Sequence, residues 1–354
     1  MNLASAIVAD GKFQVEIISK SGVFQIIGDK FVFLKEFKTT DKKTWHGDIC
    51  HIYQVLSYLR HQREKFSLIH FHSISQMSMF LGCLLLLATK LSYNCELIYK
   101  VTRTGTSAPI GSNMRRPLYR LCFFLHTLFN TKFIILTRSG QDELVDLGVN
   151  PDKVVLIPNG INVALWRSSV EWKERKNIYL VVSRLIKRKN VIEIIRAWGK
   201  SNTRETRQLL IVGDGPEASN LREVASSSTN ANQIRFLGHQ NQEQIRELMK
   251  QARFYISSST GEGLSNSLLE AMASGMVPIV KKIPQNSAVV DDTVNGFLYS
   301  SSDDLASLLA SIPEQSIGVQ LSALSRKKVE TCFAMEGVVD KYISLISPFI
   351  NLKR

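Results

Sequence analysis

The stretch Ser257-Ser258-Ser259-Thr260-Gly261-Glu262-Gly263-Leu264-Ser265-Asn266-Ser267-Leu268-Leu269-Glu270-Ala271-Met272-Ala273-Ser274-Gly275 decides how this sequence is read. The run Phe254–Ser257 predicts a strand, a polar glycine-bearing turn follows it, and Ser265 or Asn266 can cap a helix over residues 267–272. A helix that starts at the carboxyl end of a strand aims its N–H groups into the crevice there, where phosphate binds. Gly261 and Gly263 let the backbone approach a ligand closely. Glu262 on the turn and Glu270 in the first turns of the helix then face the same mouth. A carboxylate accepts two hydrogen bonds from vicinal hydroxyls, so acids beside an anion hole suit a ribose or a sugar. Taken alone, the two glutamates are explained equally well as a solvated loop acid and a partner of the helix dipole.

Outward from this stretch the pattern is strand, turn, helix. Ser183-Arg184-Leu185-Ile186-Lys187-Arg188-Lys189-Asn190 follows the expected strand Ile178–Ser183 and puts cations at the carboxyl edge of the same sheet, where a diphosphate would need them. A solvated basic loop is the plainer explanation, weakened by its place on a strand-to-helix turn. Gly213-Asp214-Gly215-Pro216 adds a glycine turn after Leu209–Val212. Further strands are expected at 234–237 and 277–280, and helices at 191–198, 217–225 and 242–251, which makes a doubly wound domain over 177–332. Residues 166–176, charged and without an apolar face, read as a linker. Before them, candidate strands at 14–19, 68–71, 97–101, 133–137 and 154–157 alternate with helices at 76–91, 117–129 and 140–147. Phe24–Ile27 and Phe31–Leu34 flank Gly28-Asp29 as a hairpin. The fold class is therefore α/β, with two Rossmann-like doubly wound domains, 1–165 and 177–332, and a terminal helix in 333–354 that returns to the first.

Composition narrows the class. The 354 residues suit two domains of about 150 residues each. A 44% hydrophobic and 21% charged make-up excludes a disordered or low-complexity chain. The five cysteines form no CxxC pair, so neither a zinc ribbon nor a disulfide framework is encoded, and a cytoplasmic location is expected. A net charge of +13 favours anionic partners. No nucleic-acid-binding pattern appears, which leaves small anions or an anionic membrane surface. The apolar run Ser73–Thr89 is polar in its first half and reads as a buried helix, short of a bilayer span of about 20 residues. His70 and His72 share a strand face as a conceivable metal pair, but with no third ligand a packed and a loop histidine are expected, and no metal is assigned.

Arg-Leu-x-x-x-Lys at 184–189, Val-Gly-Asp-Gly-Pro-Glu at 212–217, Phe-Leu-Gly at 236–238 and Glu-x7-Glu at 262–270 followed by Ala-Met-Ala-Ser-Gly come in that order. Together they resemble the family four retaining glycosyltransferases of the GT-B fold. Fainter traces in the first half are Ile69-His70-Phe71-His72, the Glu143–Val149 helix end and Val154-x-x-Ile157-Pro158-Asn159-Gly160.

The resemblance implies transfer of a sugar from a nucleoside diphosphate sugar to a saccharide or lipid-linked acceptor, with retained anomeric configuration and no cofactor. Arg184 and Lys189 would hold the diphosphate. Glu270 would take the ribose hydroxyls, while Glu262 and the amides of Gly263, Leu264 and Ser265 would meet the sugar and phosphate. The turns at Gly213 and Gly215 would line the donor. Many family members carry a histidine after the strand at 97–101, but this chain reads Lys100-Val101-Thr102-Arg103, so Lys100 and Arg103 are the candidates for contact with donor or acceptor. Basic residues around 102–138 suggest a surface for a lipid-linked acceptor at the inner face of the cytoplasmic membrane, by analogy with members that build bacterial surface polysaccharides such as lipopolysaccharide and capsule. A solvated basic surface accounts for them equally. The opening residues 1–18 resemble the end of a first helix and a second strand, so the family's first strand and glycine-rich turn are expected to be missing and activity to be weak. The rivals are a nucleotide-sugar 2-epimerase of related fold and a non-enzymatic homologue.

Overall fold

The computed structural model describes residues 16–19, 22–27, 30–36, 57, 68–72, 96–101, 117, 120–121, 123–124, 131–201, 206–312 and 318–350. The chain divides into two compact units, Met1–Gly160 with Met335–Arg354, and Ile161–Ala334. Arg103, the opening residues 1–15 and the expected helix at 76–91 with its apolar run lie outside the described residues.

In the first unit β1 (Glu16–Ser19), β2 (Gly22–Ile27) and β3 (Lys30–Glu36) form an antiparallel sheet. The hairpin is present, with Ile27 opposite Lys30. The strand expected at 14–19 in the parallel sheet pairs here instead: β1 ends at Ser19 and β2 begins at Gly22, too short a link for a parallel crossover. A second sheet is wholly parallel, in the order β4 (Leu68–His72), β5 (Glu96–Lys100), β6 (Lys132–Ile135), β7 (Val154–Leu156). Ile98 and Ile134 on one face of this sheet pack with Ile157 against Val338, Val339, Tyr342 and Ile346 of the helix Met335–Ile350. Of the helix expected at 117–129, residues 117, 120–121 and 123–124 are helical, with Phe123 edge-on to Phe133 at 5.5 Å.

The second unit holds a six-stranded parallel sheet in the order β10-β9-β8-β11-β12-β13, where β8 is Lys176–Val182, β9 Gln208–Val212, β10 Ile234–Gly238, β11 Ala252–Ser257, β12 Val277–Lys281 and β13 Phe297–Tyr299. The chain winds outward from β8 to one edge and then from β11 to the other, so the loops after β8 and β11 part to opposite sides. That switch point is where a doubly wound sheet leaves a crevice. The helix Val191–Lys200 shows why these segments pack: Val191, Ile194, Ile195 and Trp198 recur at helical spacing and are all buried. Trp198 Nε1 donates to Gln233 Oε1 at 3.2 Å, so the one polar atom of that ring is satisfied.

Three features depart from the expected plan. Residues 166–176 are not a free linker: Trp172 is buried in the second unit's core, edge-on to Phe254 at 5.5 Å, and Trp166 and Arg175 are buried too. Two tryptophans spaced among charged residues carry the apolar face that the charge run hides. The first unit accordingly ends at Gly160 rather than 165, with Asn162 capping the short helix Val163–Trp166. The second unit also continues past β12 with β13, where Phe297 and Tyr299 turn inward, and with the helices Ser302–Ser311 and Gly318–Cys332. None of the described helices is long and apolar enough to cross a membrane.

Candidate functional site

The site is built from the two turns at the switch point. After β8 the chain makes a short turn, Lys187–Lys189, and Asn190 then takes the left-handed conformation, φ 49°, before the next helix begins. After β11 it makes the turn that carries Glu262. Backbone and side chain lock the two together: Thr260 N donates to the Arg188 carbonyl at 3.0 Å, and Ser258 Oγ donates to the carbonyls of Lys189 at 2.9 Å and Asn190 at 2.7 Å. The cations of the first turn therefore reach the acid of the second. Lys189 Nζ pairs with Glu262 Oε1, and Arg188 Nη1 lies 3.4 Å from Glu262 Oε2 while donating to the Gly261 carbonyl.

The first turn is fixed from beneath as well. Asn190 Nδ2 donates to Glu193, whose two carboxylate oxygens accept from Lys281 Nζ at 2.8 and 2.7 Å. Glu193 is buried, and Lys281 ends β12 on the far side of β11. This ion pair ties the helix after β8 to the strand beyond β11.

Glu270 has different surroundings. It sits in the helix Asn266–Ala273, capped by Ser265, whose hydroxyl accepts from Leu268 N at 3.4 Å. Burial pushes its carboxyl up to about 7. Tyr255 feels both glutamates: its hydroxyl is 2.8 Å from Ser267 Oγ, and burial together with the charges of Glu262 and Glu270 raises it to about 12, against hydrogen bonds from Ser267 and Ser265 that favour ionisation. At the other end of the helix, Arg175 donates to the carbonyls of Ser274 and Ala252, and Arg326 reaches the same Ser274 carbonyl at 3.4 Å. Cations there complement the negative end of the helix dipole. Burial, and next the charge of Arg326, pulls the Arg175 guanidinium down to about 10.

The residues singled out from the sequence divide as follows. Lys189, Glu262, Gly263, Leu264, Ser265 and Glu270 come together at the switch point. Arg184 is exposed on the loop directly after β8. Gly213 and Gly215 serve backbone packing: a Cβ at Gly213, where φ is 133°, would fall 1.8 Å from the Ser183 carbonyl oxygen, and one at Gly215 would fall 2.4 Å from that of Leu185. Lys100 belongs to the first unit, at the carboxyl end of β5. Its ammonium is buried over the Tyr342 ring at 5.6 Å, and burial lowers it to about 8. The His70 ring lies 5.7 Å from the same tyrosine, and no group of three metal-ligating side chains occurs among the described residues. Sequence reasoning passed over Arg188, Tyr255, Glu193 and Lys281. For Arg188 the charge run itself was the signal, but only the fold shows which of its cations turns toward Glu262.

A parallel sheet in each unit, the second doubly wound with phosphate-suited turns and two acids at its switch point, fits the GT-B class. Solved structures agree on the fold: the Anabaena protein HepE in complex with UDP-glucose superposes with a TM-score of 0.70 at 18% identity, covering 84% of this chain and 82% of that one. Sucrose-phosphate synthase from Thermosynechococcus elongatus gives 0.74 at 17%, covering 89% and 81%. Residues 162–322, within the second unit, match the family described as glycosyl transferases group 1. Among curated relatives, an uncharacterized glycosyltransferase of Methanocaldococcus jannaschii is 26% identical over 259 residues, 68% of this chain and 64% of its own length. A UDP-N-acetylglucosamine–peptide N-acetylglucosaminyltransferase GtfA subunit of Streptococcus agalactiae is 32% identical over 174 residues, 47% of this chain and 33% of its length. The Escherichia coli UDP-Gal:alpha-D-GlcNAc-diphosphoundecaprenol alpha-1,3-galactosyltransferase is 23% identical over 306 residues, 80% of this chain and 77% of its length.

Proposed function

We propose that this chain is a retaining, metal-independent glycosyltransferase that moves a sugar from a nucleoside diphosphate sugar to a saccharide or lipid-linked saccharide acceptor. The observation that carries the reading is the meeting of Arg188 and Lys189 with Glu262 at the carboxyl ends of β8 and β11, with Glu262 and Glu270 both near enough for their charges to reach Tyr255. In this reading Glu270 accepts hydrogen bonds from the ribose hydroxyls, and Arg184 and Lys189 hold the diphosphate. As the bond between the anomeric carbon and the phosphate oxygen breaks, the negative charge that develops on the diphosphate is met by those cations. The acceptor hydroxyl attacks from the same face and passes its proton to the departing phosphate oxygen, so no side-chain base is required.

A lipid-linked diphosphate acceptor at the inner face of the cytoplasmic membrane, in the assembly of a bacterial surface polysaccharide, is the reading favoured by the excess of positive charge and by the acceptor named for the Escherichia coli relative. Lys100, buried and cationic at a sheet edge, is the first-unit residue proposed to meet substrate phosphate. The test is incubation with labelled UDP-, GDP- and ADP-sugars, with and without polyprenyl-diphosphate saccharides and with a chelator present. The anomeric configuration of the product is then read by NMR. A product of inverted configuration, loss of transfer in the chelator, or an epimerised nucleotide sugar as the main product would each count against the corresponding part of the proposal.

A further inference from the structure

The two cations nearest the switch point already share a carboxylate from within the chain, which leaves the trio with one net positive charge. Each Glu262 oxygen serves a different one, Oε1 for Lys189 and Oε2 for Arg188; Glu262 is buried and the two cations are half-buried. A diphosphate has the same need for both. Glu262 and a diphosphate would therefore compete for the N–H donors of Lys189 and Arg188.

We propose that Glu262 is a resident counter-ion which the donor diphosphate displaces, so that arrival of the phosphates is the event that releases the Glu262 carboxylate toward the sugar. The inference rests on the donor reading above and adds the order of events to it.

The geometry decides which partner yields. The cation turn is anchored by four hydrogen bonds: Ser258 Oγ holds the carbonyls of Lys189 and Asn190, Thr260 N holds that of Arg188, and the Asn190 side chain holds Glu193, itself paired with Lys281. Glu262 stands between two glycines, Gly261 and Gly263. Among the described residues its carboxylate accepts hydrogen bonds from the two cations alone. Rotating one glutamate side chain breaks those contacts and leaves the turn in place. The exchange also keeps the buried charge balanced, since anionic phosphate oxygens take over the two cations at the moment the carboxylate leaves. Empty of ligand, the two half-buried cations keep Glu262 as their counter-ion.

The consequence has an unusual sign: removing a site acid strengthens anion binding. Glu262→Gln leaves Lys189 and Arg188 without a competing charge, and inorganic pyrophosphate, which has neither sugar nor ribose, probes those cations alone. Calorimetric titration of the full chain is expected to show Glu262→Gln binding pyrophosphate about tenfold more tightly than the wild type, with a steeper loss of affinity on adding salt. Glu262→Asp, one methylene short of spanning both cations, is expected to fall between, and it serves if the glutamine variant does not fold. Turnover should fall in both variants, because the released carboxylate no longer meets the sugar. Equal or weaker pyrophosphate binding in a folded Glu262→Gln, while the wild type still binds a nucleoside diphosphate sugar, would overturn the exchange and leave the donor reading standing. Binding of neither pyrophosphate nor any nucleoside diphosphate sugar by wild type and variants would overturn both.

Discussion

The turn that carries Glu262 and the helix that carries Glu270 present two carboxylates of one motif under opposite conditions. Glu262 is matched by two cations, whereas Glu270 is half-buried with its ionised form disfavoured by desolvation, its carboxyl raised to about 7. Spacing in the sequence brings the two acids to one mouth, with Tyr255 feeling both charges. What each acid does there is set by neighbours from distant parts of the chain. The matched acid is held at low electrostatic cost until a stronger anion competes for its cations. The unmatched acid stores a desolvation cost that a ligand with hydroxyl donors relieves.

The largest effect is expected at the cations. Lys189→Ala should lower kcat by about 100-fold, the usual loss when one group that stabilises developing charge is removed from a preorganised site. Donor affinity should change much less, because Arg188 remains and Glu262 loses one of its two holds on the turn. Steady-state kinetics separate the two parameters, and an equal change in both would place Lys189 in ground-state binding only.

At Glu270 the contrast predicts function and stability moving in opposite directions. Glu270→Gln should weaken donor binding about tenfold, since a neutral amide replaces a carboxylate toward the ribose hydroxyls. The sign of the stability change follows from the raised carboxyl. In the unfolded chain Glu270 ionises near 4.5, in the fold near 7, so the fold binds the extra proton and stability declines as pH climbs from about 4.5 to 7. Above pH 7 the wild type bears that loss and the glutamine variant does not. Its melting temperature at pH 8 should therefore lie above that of wild type, by about 2–4 °C for each kcal/mol recovered in a domain of this size. At pH 4.5 the two should converge. Donor binding by wild type should weaken as pH falls from 8 to 6, as Glu270 takes up its proton, while the variant stays flat. A wild-type affinity independent of pH over that range would mean that the donor does not use the ionised carboxylate.

How much of this was legible follows from where each signal lies. The alternation of short apolar runs with glycine turns is local, and it predicts the second unit's strands from β8 to β12 closely. Glu262, Glu270 and Lys189 were marked by their spacing. Trp172 was not, because a buried ring among five charged neighbours looks like a solvated run until its partner Phe254, far along the chain, is known. The pairing of β1 with β2 was misread because period-two patterning does not tell a strand of an antiparallel hairpin from one of a parallel sheet. Arg188, Tyr255, Glu193 and Lys281 act through contacts between elements, which no single segment encodes.

The smallest expected effect tests the anchoring beneath the cation turn, and it turns on Asn190. Its left-handed backbone costs an ordinary side chain about 1 kcal/mol, and its amide recovers part of that by donating to Glu193. Asn190→Gly removes the backbone cost and the hydrogen bond together. The two changes oppose each other, so thermal stability should stay within about 0.5 kcal/mol of wild type. Asn190→Ala keeps the backbone cost and loses the bond, and should destabilise by about 1–2 kcal/mol. If the amide also holds the cations in register, both variants should lose turnover by a similar factor although only one loses stability. A turnover loss that follows stability alone would make Asn190 a backbone residue and leave the turn under Lys189 held by Ser258 and Thr260.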